Sequence, residues 1–469
     1  RQELREHDFQ ITGGFRGVTA GWNWDVATNW GKDFSTINVK NTGNADLYRD
    51  TGFTPNYIMA GKFQAGQWTS TLDLTREFET GMAGPSTLAL GAEYREDYYS
   101  LKQGNPAGYY KGGSQSYFGF SPTDESSNTR ESYAVYADLA MTPIEGWTVD
   151  GAVRYGHFSD FGETTVFKLT SRYDFSDMFA VRGTASTGFR APTLAEGYYS
   201  GINVSPSAIT GILAPNSAGA KLLGIEGLEA EKSTNFSVGF VAKPIERMVI
   251  TLDAYQIEIE DRIVRSGTLY GDASNKSLIR SPSVLAALAA NGVTPDPSIY
   301  SNSSWSIGVS LFSNGLDTRT KGVDFVLTYS TDFDAYGRVD WTLNANYNET
   351  KVTKIGAPPS GLSPGVVLFS PDSIVQLEES QPKYKMVLGA VWTLGDWSVS
   401  LKETLYGESR SLTQDTFGTP TWRETKIEPA AITDLEIGYR VTDEVKLAIG
   451  ANNLFNYYPD EINGIYRNN

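Results

Sequence analysis

Residues 340–348 read Asp-Trp-Thr-Leu-Asn-Ala-Asn-Tyr-Asn, the clearest case of the period that runs through the chain. Trp341, Leu343, Ala345 and Tyr347 share one parity, while Asp340, Thr342, Asn344, Asn346 and Asn348 take the other. Successive side chains of a strand point to opposite faces, so this is a strand with one apolar face and one row of amides and hydroxyls. The polar row expects water. The pattern recurs on either side. Trp147, Val149, Val153 and Tyr155 alternate with Thr148, Asp150 and Arg154, and Phe167, Leu169 and Tyr173 with Lys168, Thr170 and Arg172. Val445, Leu447, Ile449 and Ala451 carry it toward the end of the chain. A soluble sandwich alternates in the same way, so alternation alone does not separate it from a membrane barrel.

Strand and connection lengths do separate them. The runs extend over about 10–15 residues where an ordinary globular strand has about 5 or 6, and long tilted strands suit a barrel in a bilayer. The connections fall into two classes in turn. Residues 142–146, 174–177, 243–246, 331–334, 395–396 and 442–443 are short links, and 104–130, 190–231, 265–310, 354–381 and 409–428 are long ones; 157–162 is a short member of the long class. An up-and-down barrel places alternate connections on opposite rims, so one rim has tight turns and the other carries the function. The fold class expected is all-β, a transmembrane antiparallel β-barrel of about 16 strands, two before residue 40 and the last ending near Phe455. Trp147, Trp392, Trp397, Tyr329 and Tyr347 sit near inferred strand ends, where rings can lie at lipid headgroups. Residues 284–290, after Ser281-Pro282 and before Asn291-Gly292, read as a short helix inside a long loop.

Composition narrows the chemistry. The 469 residues carry 39 Lys plus Arg against 55 Asp plus Glu, a net charge of −16, the wrong sign for tracking phosphate backbones, so no nucleic-acid partner is expected. There is no cysteine, which excludes disulfides and thiolate chemistry, and no apolar run approaches the 18 or so residues of a spanning helix. Histidine occurs only at positions 7 and 157, and His157, Ser159 and Asp160 crowd one turn without forming a relay. No catalytic residue, metal site or cofactor is expected. Asp372, Glu378 and Glu379 in one loop, and Asp124 and Glu125 in another, offer oxygens for calcium but match no EF-hand spacing. Glu258, Glu260 and Asp261 are placed to pair with Arg262 or Arg265.

Four ordered blocks carry a resemblance: TGFRAPTLAE from Thr187, LEAEKSTNFSVGF from Leu228, TRTKGVDFVLTY from Thr318 and GANNLFNYYP from Gly450. Together they resemble the barrel of TonB-dependent outer-membrane receptors. The resemblance implies a 22-stranded barrel in a Gram-negative outer membrane, a globular plug inside it, and uptake of a scarce ligand of the siderophore, vitamin or oligosaccharide class with energy supplied by TonB. It implies that residues 1–469 are one partial barrel domain, with the plug, TonB box, first five strands and last strand outside it. The partners so implied are outer-membrane lipid, TonB acting through that plug, and an unidentified small molecule. A passive porin is the alternative, and an enzyme is not expected. Ligand contacts in the family come mainly from plug apices and outer loops, so the candidates are Tyr109, Tyr110, Tyr117, Phe118, Tyr198, Tyr199, Trp305, Trp422 and Arg423. Phe189, Arg190, Ala191, Pro192 and Thr193 read as structural: Pro192 lacks a ladder donor and ends the strand, and Arg190 reaches nearby carbonyls. Asn452, Asn453, Leu454 and Phe455 read as a strand-end anchor.

Overall fold

The computed structural model describes residues 1–459 apart from 112, 116, 118, 205–207, 275–277, 294–304 and 416–420. In chain order its strands are β1 (Gln2–Thr19), β2 (Trp22–Lys40), β3 (Tyr57–Phe78), β4 (Ser86–Gln103), β5 (Ser126–Ile144), β6 (Trp147–Phe158), β7 (Gly162–Ser176) and β8 (Phe179–Arg190). Then come β9 (Gly201–Val204), β10 (Ala208–Ile212), β11 (Glu231–Ala242), β12 (Met248–Arg265), β13 (Leu269–Ala273), β14 (Ser306–Val309), β15 (Phe312–Asp332) and β16 (Arg338–Ile355). The last are β17 (Tyr384–Leu394), β18 (Trp397–Tyr406), β19 (Ser409–Asp415), β20 (Thr421–Ile427), β21 (Ala430–Arg440) and β22 (Lys446–Ala451). Sixteen of these, all but β9, β10, β13, β14, β19 and β20, pair antiparallel in strict chain order into one sheet. The expected strand count therefore holds, and the last strand ends at Ala451, a few residues before Phe455.

Because each strand pairs with the next, the connections sort to two rims. The short turns touch one another along one rim: the Asp174 amide donates to the Gly146 carbonyl, Lys243 to Met178, Ser330 to Arg247 and Arg440 to Asp396. At Ala20-Gly21, one of the two-residue turns, both residues have positive φ (52° and 80°), as a type I′ hairpin requires to match the twist of its strands, and glycine adopts it freely.

The two faces of the sheet differ as the alternation requires. On β16, Trp341 lies opposite Ala390, Leu343 opposite Leu388 and Ala345 opposite Met386. The same face continues through Ala390–Leu401, Leu401–Leu435 and Leu435–Ala451 to Leu447 and Ile449 on β22. Asn344 and Asn346 lie on the other face, where Asn346 donates to Asp324 and the ion pairs Arg182–Asp253, Lys168–Asp150 and Lys402–Asp434 form a charged ladder. Charges facing hydrocarbon would be expelled, so the apolar face is the one suited to hydrocarbon and the ladder the one suited to the lumen of a barrel.

Aromatic rings bound the apolar band. Near the short turns Tyr173, Phe175, Phe179 and Phe240 form a continuous run of ring contacts, and Trp397 meets Tyr439 at 4.7 Å. Toward the opposite rim Phe9 meets Trp30, and Trp68, Tyr94 and Tyr133 follow. On β6 the two levels are marked by Trp147 and Tyr155, eight residues apart on one face. At ~3.3 Å per residue and a tilt of ~40° they are separated by about 20 Å of height, close to the roughly 25 Å apolar band of outer-membrane barrels.

The principal cluster of buried apolar residues lies in the loops. Leu213, Leu223, Leu288, Ile307 and Leu311 are fully buried and pack with Ile209, Leu269, Val284, Leu316 and Phe369. They come from segments 191–230, 266–311 and 356–383, together with the first residues of β15. The four-stranded sheet β13-β14-β10-β9 and the helix Pro282–Ala290, which covers the expected 284–290, frame this core. Each such side chain contributes about 1.5–3 kcal/mol on burial, enough to hold long connections as a folded cap rather than solvated loops.

Candidate functional site

The cap sits on the long-loop rim, and its parts bridge loops remote in sequence. The Thr123 hydroxyl donates to the Asn291 carbonyl, and the buried Ser200 hydroxyl donates to Asp124 while accepting from Asn291. Two of the cavities among the described residues at this rim hold candidate residues.

The larger, about 830 Å³, opens on the lumen face beneath the 189–195 segment. Gln10, Asn29, Gln67, Arg95, Arg130 and Arg154 form its floor, and Phe189 to Ala195 its roof. β8 ends at Arg190, and Pro192, which has no amide hydrogen to donate, follows outside the ladder. Arg130 of β5, almost wholly buried, holds Asp160 in a two-pronged pair at 2.6–2.9 Å and donates to the Pro192 carbonyl at 2.7 Å. Arg190 grips Glu231 at 2.7 and 2.9 Å and Glu196 at 3.0 Å. Its partners are therefore carboxylates, not the carbonyls expected; the carbonyl of the block goes to Arg130. Thr193 and Glu196 cap the short helix Leu194–Tyr198 reciprocally, each side chain serving the other's backbone amide. The remaining arginines of this cavity are paired too, Arg95 with Asp97 and Arg154 with Glu93, and Lys32 lies over the rings of Phe34 and Tyr98.

The smaller cavity, about 560 Å³, is a cleft between the start of β13, the helix Pro371–Glu378 and the hairpin β19–β20, and Trp422 closes one side. Arg265 donates to the Ser310 hydroxyl there, and Asp372 presents a buried carboxylate oxygen that accepts no hydrogen bond among the described residues.

The aromatic candidates divide among four places. Tyr199 stacks on Phe63 and meets Phe120 edge-on, and Tyr117 meets Phe120, so these rings form one cluster at the top of β3 and β4; burial raises the Tyr117 and Tyr199 phenols above their ordinary value. Tyr198 is half-buried beside it in the short helix. Tyr110 donates to Asp50, which also holds Lys111, and Tyr109 donates to Gln103. Trp305 packs against the cap core, its carbonyl accepting from the Ser274 amide and hydroxyl and its amide donating to the Ser274 hydroxyl, while Trp422 and Arg423 lie on β20, with Trp422 in the cleft. Phe118 lies outside the described residues.

The carboxylates considered for calcium are mostly occupied: Asp124 caps Ser121, Glu125 accepts from the Gln103 amide, Glu378 from the Val352 amide, and Glu379 pairs with Arg410. Glu258 pairs with Arg319, which lies directly opposite it on β15, instead of with Arg262 or Arg265. At the end of the sheet Asn453 donates through its amide side chain to the Tyr457 carbonyl and accepts from the Tyr457 amide, its backbone amide donates to Asp434, and Leu454 donates to the Thr433 carbonyl. Asn452 and Phe455 flank this knot, which ties the strand end down. What the sequence did not single out is Arg130, which joins β5 to the 159–161 link and to the 191–200 segment; its partners are 30 and 62 residues away, and no local signal marks them.

A family model described as TonB dependent receptor-like, beta-barrel matches residues 2–454. The ferric enterobactin receptor PfeA of Pseudomonas aeruginosa superposes with a TM-score of 0.64 at 16% identity, over 97% of this chain and 56% of that one. The siderophore receptor PirA of Acinetobacter baumannii gives 0.63 at 14%, over 97% and 59%, and the FrpB iron transporter of Neisseria meningitidis gives 0.61 at 11%, over 96% and 59%. The chain thus spans somewhat over half the length of these solved structures. No curated protein matches it in sequence.

Proposed function

The chain belongs to the TonB-dependent receptor β-barrel family, a family of transport receptors of the Gram-negative outer membrane, and from this we propose that it is the barrel of an active importer. The importer binds a scarce small ligand at the long-loop rim and admits it with energy supplied through TonB and a plug domain. Residues 1–469 are then one partial barrel domain of the longer receptor. One observation carries the reading: the long connections are folded into a cap with its own apolar core above polar, aromatic-edged cavities. A diffusion pore needs an open mouth, whereas a receptor needs a shaped surface held by a rigid scaffold. The siderophore receptors among the structural neighbours give the ligand class its starting point, with vitamins and oligosaccharides as the other classes.

The test is energy dependence. Cells expressing the full-length protein are given iron-55 as ferric chelates, and surface binding is separated from internal accumulation. A protonophore should abolish accumulation and leave surface binding intact. Accumulation indifferent to the protonophore would leave the passive pore.

A further inference from the structure

The apolar face turns polar between its upper aromatic level and the long-loop rim. There the register of β2, β3 and β4 sets Thr36 opposite Lys62 and Lys62 opposite Lys102. Their sequence neighbours Phe63 and Leu101 take the other parity. Leu101 is buried and Phe63 packs on Phe120 and Tyr199, so both lysines point away from the loop cluster, and both are exposed. Four residues nearer the short turns the row reads Lys32, Gly66, Tyr98, and the Lys32 ammonium lies over the rings of Phe34 and Tyr98.

Like charges directly opposite one another destabilise a strand pair. Elsewhere at this level the charges are matched: Lys232 lies opposite Glu260 and Lys321 opposite Glu349, and where Arg319 meets Lys351 each holds a carboxylate, Glu258 and Glu349. Lys62, Lys102 and Lys32 form no ion pair among the described residues. Of the carboxylates near them, Glu3 is held by Lys40 and Arg5, and Glu125 accepts from the Gln103 amide. An anion between Lys62 and Lys102 would relieve their repulsion through charge-assisted hydrogen bonds.

The surface below selects the anion. Beneath the lysines the same face carries Phe9, Trp30 and Trp68. Lys62 stands six residues from Trp68 along β3, about 15 Å in height at a tilt of ~40°, and Lys32 lies about 10 Å below the pair. Lysine stems lie along apolar surface while their ammonium groups reach phosphorylated headgroups. A lipid with one phosphate at the ring level reaches Lys32 alone; occupying both tiers takes phosphates at two heights with a polar spacer between them, where Gln64 offers its amide. We propose that Lys62, Lys102 and Lys32 form a site on the outside of the barrel for a phosphorylated glycolipid of the outer leaflet, whose acyl chains lie against Phe9, Trp30 and Trp68. The site is independent of whatever passes through the barrel.

Delipidated full-length protein in neutral detergent is titrated with four probes: a disaccharide lipid bearing two phosphates, the same lipid without them, phosphatidylglycerol, and inorganic phosphate. The first should bind about tenfold or more tighter than each of the others, and more weakly as salt is raised. Lys62→Gln with Lys102→Gln should remove that preference, while Lys232→Gln with Lys321→Gln, at the same level but opposite carboxylates, should keep it. Lys62→Glu gives Lys102 an opposite charge, so it should abolish the preference without lowering the melting temperature. The proposal is overturned if any other probe binds as tightly as the first, if the Lys62/Lys102 variant binds it as the unaltered protein does, or if the Lys232/Lys321 variant loses it equally. Each of these results leaves the protonophore experiment free to support import.

Discussion

Replacing Arg130 by alanine should loosen the roof of the lumen cavity without disturbing the barrel below it. The Arg130 side chain is 6% exposed and its partner Asp160 30% exposed, so the pair is only half sealed from water. Breaking a fully buried pair costs about 3–5 kcal/mol, and partial solvation of Asp160 lowers the figure for the ion pair. Loss of the hydrogen bond to the buried Pro192 carbonyl adds to it, since an orphaned buried acceptor costs about 1–3 kcal/mol. A net effect of about 2–4 kcal/mol on docking of the 191–200 segment follows. At about 1.4 kcal/mol per tenfold, amide exchange there should accelerate roughly 30- to 1000-fold. Hydrogen exchange read by mass spectrometry reports this through the Gly197 and Tyr199 amides, which bond Thr193 and Ala195. Asp160→Asn keeps the fork of Arg130 partly satisfied and should accelerate exchange by about tenfold or less. Unchanged exchange in Arg130→Ala would refute the claim that this arginine fastens the segment.

Three further outcomes are expected. Leu169→Arg, on the lipid face, should lower the stability of the refolded barrel in liposomes by about 2–4 kcal/mol in urea titrations, while Thr170→Arg, on the lumen face, should cost little; the reverse order would mean that the faces are exchanged. Leu288→Ala should destabilise the cap by about 2–5 kcal/mol, seen as faster proteolysis within 266–311, with the strand signal in circular dichroism unchanged. Lys111 and Tyr110 hold the Asp50 carboxyl below its ordinary value of 3.8, so the contact between loops 41–56 and 104–125 should persist down to that value and release only as pH falls through the depressed one. The same contact raises the Lys111 amine, so on the alkaline side it is complete below 10.5 and is lost as pH rises through the raised value; Asp50→Asn should make Lys111 acylate faster at neutral pH.

Much of the barrel was legible because its signals are local. Alternation at 340–348 and 147–155 fixes the faces, and link lengths fix the rims, without any knowledge of what lies across the sheet. The cap was not legible for the opposite reason. Its core draws Leu213 and Leu223, Leu269 and Leu288, and Leu362 and Phe369 from three loops, each apolar cluster too short to show a period. Only the compact 284–290 stretch showed as an element. Side-chain partners failed in the same way: Arg190 finds Glu231 41 residues on, and Glu258 finds Arg319 61 residues on, distances that register alone determines. The aromatic candidates were a list of rings, and only the fold could gather Tyr117 and Tyr199 with Phe63 and Phe120 while setting Trp305 into the cap.

The importer reading is tested most directly by the conductance of the full-length protein in planar bilayers. A barrel of this width with an empty lumen passes water and ions, so a plugged and energised receptor should sit silent. Bilayers holding the protein should show no steady current, and unrelated sugars should not leak from liposomes containing it. A large, steady conductance that admits unrelated solutes would contradict the account and make the protein a pore.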